Sequence, residues 1–392
     1  MPVLGQIAER FAKQRPLRGV RVGACLHITA ETASLVGALV DGGAQVALCA
    51  ANPLSTQDDV AAALRQRGAV EVHGARGESA SALAAHVRSV IDGRPQVVLD
   101  DGADLLVGVH EQRGDGAEEL LGGMEETAAG LLRVRALEAE RGLRCPVLAV
   151  NEARSERAFN DHYGTGQSTI DGILRATNIL LAGRTVVVLG FGYTGRGIAL
   201  RARGAGASVI VCEVDSIRAL EARMAGYQVM PALEAAERGD VFVTVTGGRD
   251  ALRSEHFERM QDGAVLANAG HFDVEIDLVA LRALAAARAQ VLPLVEQHTL
   301  ADGRRLNLLA EGRVVNLVAG DGHPAAVMDI SFGLQALCVE HLASESARLG
   351  PAVHAVPEWI DAEIARLKLD SLGVRIDELT YSQRIYRRAW ER

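Results

Sequence analysis

The chain has 392 residues, 48% of them hydrophobic and 4% aromatic, with a formal net charge of −9 and a pI near 5.7. That length holds two domains of ordinary size, each with its own core, and the composition is that of a globular α/β protein, which excludes disordered and fibrous classes. An acidic chain with its charge spread along the sequence fits neither nucleic acid nor an anionic membrane as partner.

The N-terminal stretch "MPVLGQIAERFAKQRPLRGVRVGACL" mixes charges ahead of a short apolar strand and lacks the long apolar run of a signal peptide or membrane span. A cytoplasmic address is expected. Short β-rich runs follow at 20–28, 44–50, 69–74, 96–101 and 145–150, with helical apolar spacing between them, as in "AETASLVGALVDGG" and "TQDDVAAALRQRG". This alternation predicts a parallel sheet wrapped by helices, with functional groups at the carboxyl ends of its strands, where His27, Asp100 and Asp101 lie.

A second series at 184–190, 207–213, 227–230, 241–247, 264–270 and 289–295 predicts a second doubly wound unit. From "GHPAAVMDISFGLQALCVEHLA" onward the pattern is helical, with apolar faces that need a partner and are placed back on the first domain. The expected fold is therefore α/β, two doubly wound parallel-sheet (Rossmann-like) domains. Residues 1–152 form a substrate-binding and catalytic domain to which 324–371 return, 165–322 a dinucleotide domain, and 372–392 a short C-terminal segment. Cys25, Cys49, Cys145, Cys212 and Cys338 stand singly, without a CxxC pair or zinc-ligand spacing, so reduced buried thiols and no metal are expected.

"VVVLGFGYTGRGIAL" places Gly190, Gly192 and Gly195 as GxGxxG directly after a β-branched run and at the start of a helix; Glu213 ends the next strand. Glycines let the backbone turn tightly beside a pyrophosphate, a helix N-terminus supplies N–H donors, and a strand-end acid accepts from a ribose diol. The carboxylate of Glu213 would repel a 2′-phosphate, which favours NAD over NADP.

Long segments of the chain resemble one family. "CLHITAETA", "STQDDVAAAL", "LDDGADL", "MEETAAG", "YGTGQSTIDGILRATNILLAGRTVVVLGFGYTGRGIALRARGAGASVIVCEVD", "NAGHFDVEID", "LAEGRVVNL" and "GHPAAVMDISF" are similar to the S-adenosylhomocysteine hydrolase (adenosylhomocysteinase) family over nearly the whole length. The ending "LTYSQRIYRRAWER" resembles short-tailed members, without the C-terminal Lys and Tyr that longer members lend to a neighbouring subunit's NAD. The resemblance implies tightly bound NAD, an adenine nucleoside as substrate and a homo-oligomer, expected to be a tetramer. It also implies a reaction in which the 3′-hydroxyl is oxidised, the C4′ proton removed, the C5′ substituent expelled, water added and the ketone reduced.

Carried over residue by residue, the resemblance implies His27 and Asp101 as acid/base groups near C5′, Glu126 on the ribose hydroxyls, and Thr29, Glu31, Asn151 and His323 as substrate contacts. His271 and Phe272 match a gate between the domains. Thr127, Tyr193, Thr194, Thr246, Asn268 and Asn316 join the glycines and Glu213 on the cofactor side. Taken alone, His27 reads as an ordinary core or surface histidine, "DDGAD" as a solvated turn, and "MEETAAG" as the acidic first turn of a helix.

The pattern breaks in "NEARSERAFNDHYG". Glu156 stands where the family has Lys, Asn160 where it has Asp, and Asp161 where it has Asn, so formal charge over the three positions falls from zero to −2. The missing Lys and Asp are the pair that handles the 3′-hydroxyl and the C4′ proton. A cation stabilises a developing enolate and a carboxylate opposes it, so Glu156, Asn160 and Asp161 are an altered catalytic set. Arg157 and Asp161 repeat the i, i+4 spacing displaced by one residue, and a local helix irregularity would present that cation; Arg remains a poor general base.

Four readings follow. The first is an enzyme that keeps oxidation and elimination with a different outcome, such as a nucleoside 4′,5′-dehydratase. The second is S-adenosylhomocysteine hydrolysis with a rewired acid/base set, the third a nucleoside 3′-oxidoreductase or epimerase, and the fourth a non-catalytic NAD- and nucleoside-binding protein. Retention of His27, Asp101 and Glu126 argues against the last.

Overall fold

The computed structural model describes residues 1–66, 68–111, 119–388 and 390; the end of the expected C-terminal segment, 389 and 391–392, lies outside them. The first sheet contains β1 (Arg21–Leu26), β2 (Gln45–Ala50), β3 (Val70–His73), β4 (Val97–Asp100), β5 (Gly122–Glu125) and β6 (Val147–Ala149). All of its pairings are parallel. Among β1–β6 only β5 has no counterpart in the runs read from the sequence, because Gly122 and Gly123 lack β propensity.

The second sheet is built from β7 (Thr185–Leu189), β8 (Ser208–Cys212), β9 (Gln228–Val229), β10 (Val241–Thr244), β11 (Val265–Asn268), β12 (Ala285–Leu292), β13 (Val295–Leu300) and β14 (Arg305–Leu309). It is mixed, which corrects the expectation of a wholly parallel sheet: β12, β13 and β14 pair antiparallel, and β14 joins β11 in parallel. The run "AQVLPLV" is the corner of a hairpin, not one strand. Pro293 falls between β12 and β13, where the missing N–H ends the ladder.

The chain then returns to the first sheet. The helix Ala325–Glu345 buries Ile330, Phe332, Leu334, Leu337, Val339 and Leu342 in one core with Val3, Ile7, Phe11, Leu35 and Leu39. The last strand, β15 (Val353–Ala355), pairs in parallel with β6 at the sheet edge. Buried Asp329 ties this return down, accepting from the Leu4 amide at 3.0 Å and from Lys368 Nζ at 2.8 Å. The helix is long and apolar enough to cross a membrane by composition alone, but most of it is buried inside the protein.

Strand order fixes where a ligand can sit. In the first sheet β1 lies between β4 and β2, and in the second β7 lies between β10 and β8, so each sheet has a topological switch point at the end of its central strand. A crevice opens at such points because successive connections leave on opposite faces. His27 and Asp101 stand at the first, Gly190 and Thr246 at the second.

Candidate active site

The two crevices merge into one cavity of about 1350 Å³, lined from the first half by His27, Thr29, Glu31, Asp101, Glu126, Thr127 and Asn151, and from the second by Gly190, Gly192, Tyr193, Thr194, Glu213 and Thr246. Asn160, Asp161, His271, Asn316 and His323 also line it.

At its inner end His27 Nε2 lies 3.1 Å from Asp101 Oδ2 and His271 Nδ1 lies 3.2 Å from Asp101 Oδ1. The other His27 nitrogen is 2.7 Å from Ser55 Oγ. Burial opposes a charge on His27, but the Asp101 carboxylate and then Glu126 outweigh it and raise its pKa. Burial likewise pushes Asp101 up, and the His27 charge and hydrogen bond overcome it and bring it down to about 2. The pairing favours an imidazolium on a carboxylate. Burial lowers His271, and it lowers His323 to about 4, so His323 is neutral. Ligand atoms of His27, Asp101 and His271 lie within 4.8 Å of one another, a metal-capable spacing that a reading of the cysteines alone does not reveal.

The two acids of "EET" part company. Glu125 is fully buried, accepting from the amides of Gly102 at 3.0 Å and Thr127 at 2.8 Å, and burial pushes it up to about 8. Glu126 faces the cavity, and burial followed by the Asp101 charge raises it to about 7, with Ser331 Oγ 3.3 Å from its Oε1. Sequence reasoning missed Ser331 and Gln335, although two polar residues at i, i+4 in an apolar helical run were the signal.

Residues Glu156–Thr165 form a π-helix, a rare, wide turn that recurs at functional sites. Its start is pinned by Asp361, which accepts from the amides of Arg154 at 2.7 Å and Ser155 at 3.1 Å. Its far end lies against the helix Tyr193–Gly204 so closely that a Cβ at Gly197 would come within 1.9 Å of the His162 carbonyl oxygen. Glu156 departs from its expected place: it is fully buried and off the cavity wall, among the described residues neither carboxyl oxygen has a hydrogen-bond partner, and burial with the charges of Glu126 and Asp161 raises its pKa well above the ordinary value. Arg157, Asn160 and Asp161 line the cavity instead.

Asn160 is committed to His323, whose Nδ1 lies 2.6 Å from the Asn160 carbonyl oxygen. That oxygen can only accept, so Nδ1 carries the proton, and Nε2 accepts from Thr165 Oγ1 at 2.9 Å. Thr165 was not anticipated. Burial raises Asp161 to about 7, against the opposing pull of Arg157 and the amides of Asn160 and Asn151.

On the cofactor side the fit to a dinucleotide is direct. A Cβ at Gly192 would meet nothing nearer than Arg218 Nη1 at 3.9 Å, so the glycine turn faces open space of the kind a pyrophosphate fills. Glu213 is held by the amides of Phe191 at 2.7 Å, Val214 at 2.7 Å and Asp215 at 3.0 Å. Asn316 donates to Ser168 Oγ at 3.2 Å, while its own buried Oδ1 has no partner among the described residues and remains to accept from a ligand amide. Thr246 is tied to Glu275, its hydroxyl 2.8 Å from Glu275 Oε2.

Besides Glu156, three expected residues lie off the cavity wall. Gly195 packs its helix onto Gly190. Asn268 is fully buried and donates to the carbonyls of Gly270, Phe272 and Gly312, which shapes the loop carrying His271. Phe272 stacks edge-on with His271 at 4.6 Å, beneath Arg133 at 5.8 Å.

Comparison with known proteins agrees with this architecture. Residues 1–120 match the S-adenosyl-L-homocysteine hydrolase family model, and residues 161–322 match the model of that family's NAD-binding domain. The chain is 54% identical over 391 residues to an adenosylhomocysteinase of Aquifex aeolicus, covering 100% of this chain and 94% of the relative. It is 52% identical over 392 residues to an S-inosyl-L-homocysteine hydrolase of Methanopyrus kandleri (100% and 92%), and 52% identical over 391 residues to an adenosylhomocysteinase of Pyrococcus abyssi (100% and 92%). The chain belongs to the S-adenosyl-L-homocysteine hydrolase family and is an NAD-binding enzyme of that type.

Proposed function

We propose that this enzyme cleaves the bond from C5′ to its substituent in a purine nucleoside by way of a transient 3′ ketone, and that the substituent is a homocysteine thioether. The observation that carries the reading is the single cavity joining a dinucleotide cradle to the His27–Asp101 pair. Relatives at 50–54% identity across the whole chain bear hydrolase names, some for adenosyl and some for inosyl homocysteine, which supports hydrolysis over an elimination that stops at the alkene.

Gly190, Gly192, Glu213 and Asn316 would hold NAD, which supplies a hydride acceptor for C3′. A C5′ thioether is a poor leaving group until it lies β to a carbanion, and a ketone at C3′ makes the C4′ proton acidic enough to provide one. His27, kept protonated by Asp101, donates to the departing sulfur, and its neutral form then takes a proton from the water that adds. Glu126, facing the ribose, orients the hydroxyls. Assembly into a homo-oligomer, a tetramer by family resemblance, is part of the same proposal.

The dehydratase reading has one observation in its favour: the cavity wall carries Glu126 and Asp161 and, among the described residues, no lysine. Incubation of NAD-loaded protein with S-adenosylhomocysteine, S-inosylhomocysteine and adenosine separates the readings. Homocysteine release supports hydrolysis; a product lighter than adenosine by one water, with no thiol released, replaces it with dehydration.

A further inference from the structure

We propose that Asp161 removes the C4′ proton and that Arg157 is the fixed cation beside it, so that cation and base sit one residue later in the chain than the family's Lys and Asp. This assignment rests on the 3′-ketone reading above.

The chain contains two lysines, Lys13 and Lys368, and the second is committed to Asp329, so no lysine elsewhere takes over the lost one. Glu156, at the lysine's position, is fully buried and does not line the cavity, whereas Arg157 and Asp161 both do. The segment from Glu156 is a π-helix, which closes its hydrogen bonds at i→i+5 rather than i→i+4 and so spreads its side chains around the axis differently from an α-helix. Asn160 cannot be the base, because an amide does not take the proton and its carbonyl is engaged by His323. Arg157 is steadied by Glu152, with Nη2 3.2 Å from Oε1, and by the Tyr193 ring, 5.6 Å from its guanidinium carbon.

In the step itself the C4′–H bond breaks and the proton goes to the Asp161 carboxylate. The bonding pair enters the C3′ carbonyl as an enolate, opposite the Arg157 charge. As that pair returns to form the C4′–C5′ double bond, the C5′–sulfur bond breaks and sulfur takes the His27 proton. Arg157 stays charged throughout. Asp161, raised to about 7, is ionised over the upper half of the neutral range.

The test is deuterium exchange at C4′ of adenosine in D2O with NAD-loaded protein, read by NMR and mass spectrometry, beside adenosine affinity from calorimetry. Wild type is expected to exchange, faster as pH rises through about 7. Asp161→Asn should exchange roughly 10²- to 10⁴-fold more slowly, with adenosine affinity held within about fivefold and the pH rise gone. Asp161→Glu, which keeps the charge, should recover part of the rate and reports on the site if the Asn variant does not fold. Arg157→Met should lose more than Arg157→Lys, and Glu156→Gln should exchange like wild type. Exchange at the wild-type rate in folded Asp161→Asn overturns the assignment, as does its loss in folded Glu156→Gln. A wild-type protein that binds adenosine and exchanges nothing overturns the ketone reading and the assignment with it.

Discussion

The glycine turn after β7 and the π-helix Glu156–Thr165 are neighbours in space that hold their ligands by different means. The turn works through backbone: amide N–H groups, a helix start and the absence of side chains at Gly190 and Gly192, with Glu213 alone contributing a specific group. The π-helix works through side chains whose direction depends on how many residues fill one turn. A backbone-built site survives sequence change almost anywhere around it. A side-chain site is re-aimed when the helix changes pitch; here Arg157 and Asp161 line the cavity and Glu156 does not.

Substitution at the reacting end should break the chemistry and spare the cradle. His27→Asn is expected to lower C5′ cleavage by roughly 10²- to 10⁴-fold while NAD content of the purified protein stays unchanged; loss of NAD along with activity would show that the two regions are not separable. The converse change comes next in size. Glu213→Ala removes a charged hydrogen-bond acceptor worth about 1.5–3 kcal/mol, so NAD affinity by calorimetry should fall roughly 10- to 150-fold and discrimination against NADP should shrink. Equal affinity for both cofactors in the parent would remove Glu213 from the ribose.

The pH profile sharpens the comparison further. Cleavage should follow a bell, rising as Asp161 ionises near about 7 and falling as His27, raised above its ordinary value, loses its proton. NAD affinity does not depend on Asp161 or His27 and should not follow that bell.

Stability carries the smallest effect. Glu125 at about 8, Glu126 at about 7 and Glu156, raised well above the ordinary value, keep protons in the folded protein that the unfolded chain releases near about pH 4.5. The stability these groups contribute is therefore fully present below about pH 4.5 and is lost as pH rises through about 8. Glu156→Gln should match the parent's Tm near about pH 4.5 and exceed it by roughly 2–4 °C near about pH 8. A Tm advantage that is the same at both ends would mean that Glu156 does not titrate between them.

Much of this was legible in the residues. The order strand, GxGxxG, helix, acid gives the cradle, and strand ends give His27 and Asp101, because period-two and period-3.6 patterns and chain order determine them. Three features were not. The β12–β13–β14 meander is hidden because the alanines around Arg288 in 285–292 carry no alternation. Asn268 is polar and next to the gate, yet spends its amide on three carbonyls, which depends on a loop path no local pattern records. The facing of Glu156, Arg157 and Asp161 depends on helix pitch, and the sequence permitted a one-residue displacement without deciding it.

The central claim is that cleavage passes through C4′, and it is tested most directly by turning over S-adenosylhomocysteine with NAD-loaded protein in D2O and weighing the nucleoside product. A route through the 3′ ketone predicts adenosine carrying deuterium at C4′, with both C5′ hydrogens retained, formed together with homocysteine. Homocysteine released with adenosine whose C4′ hydrogen is fully retained would mean direct displacement at C5′, and would contradict the account.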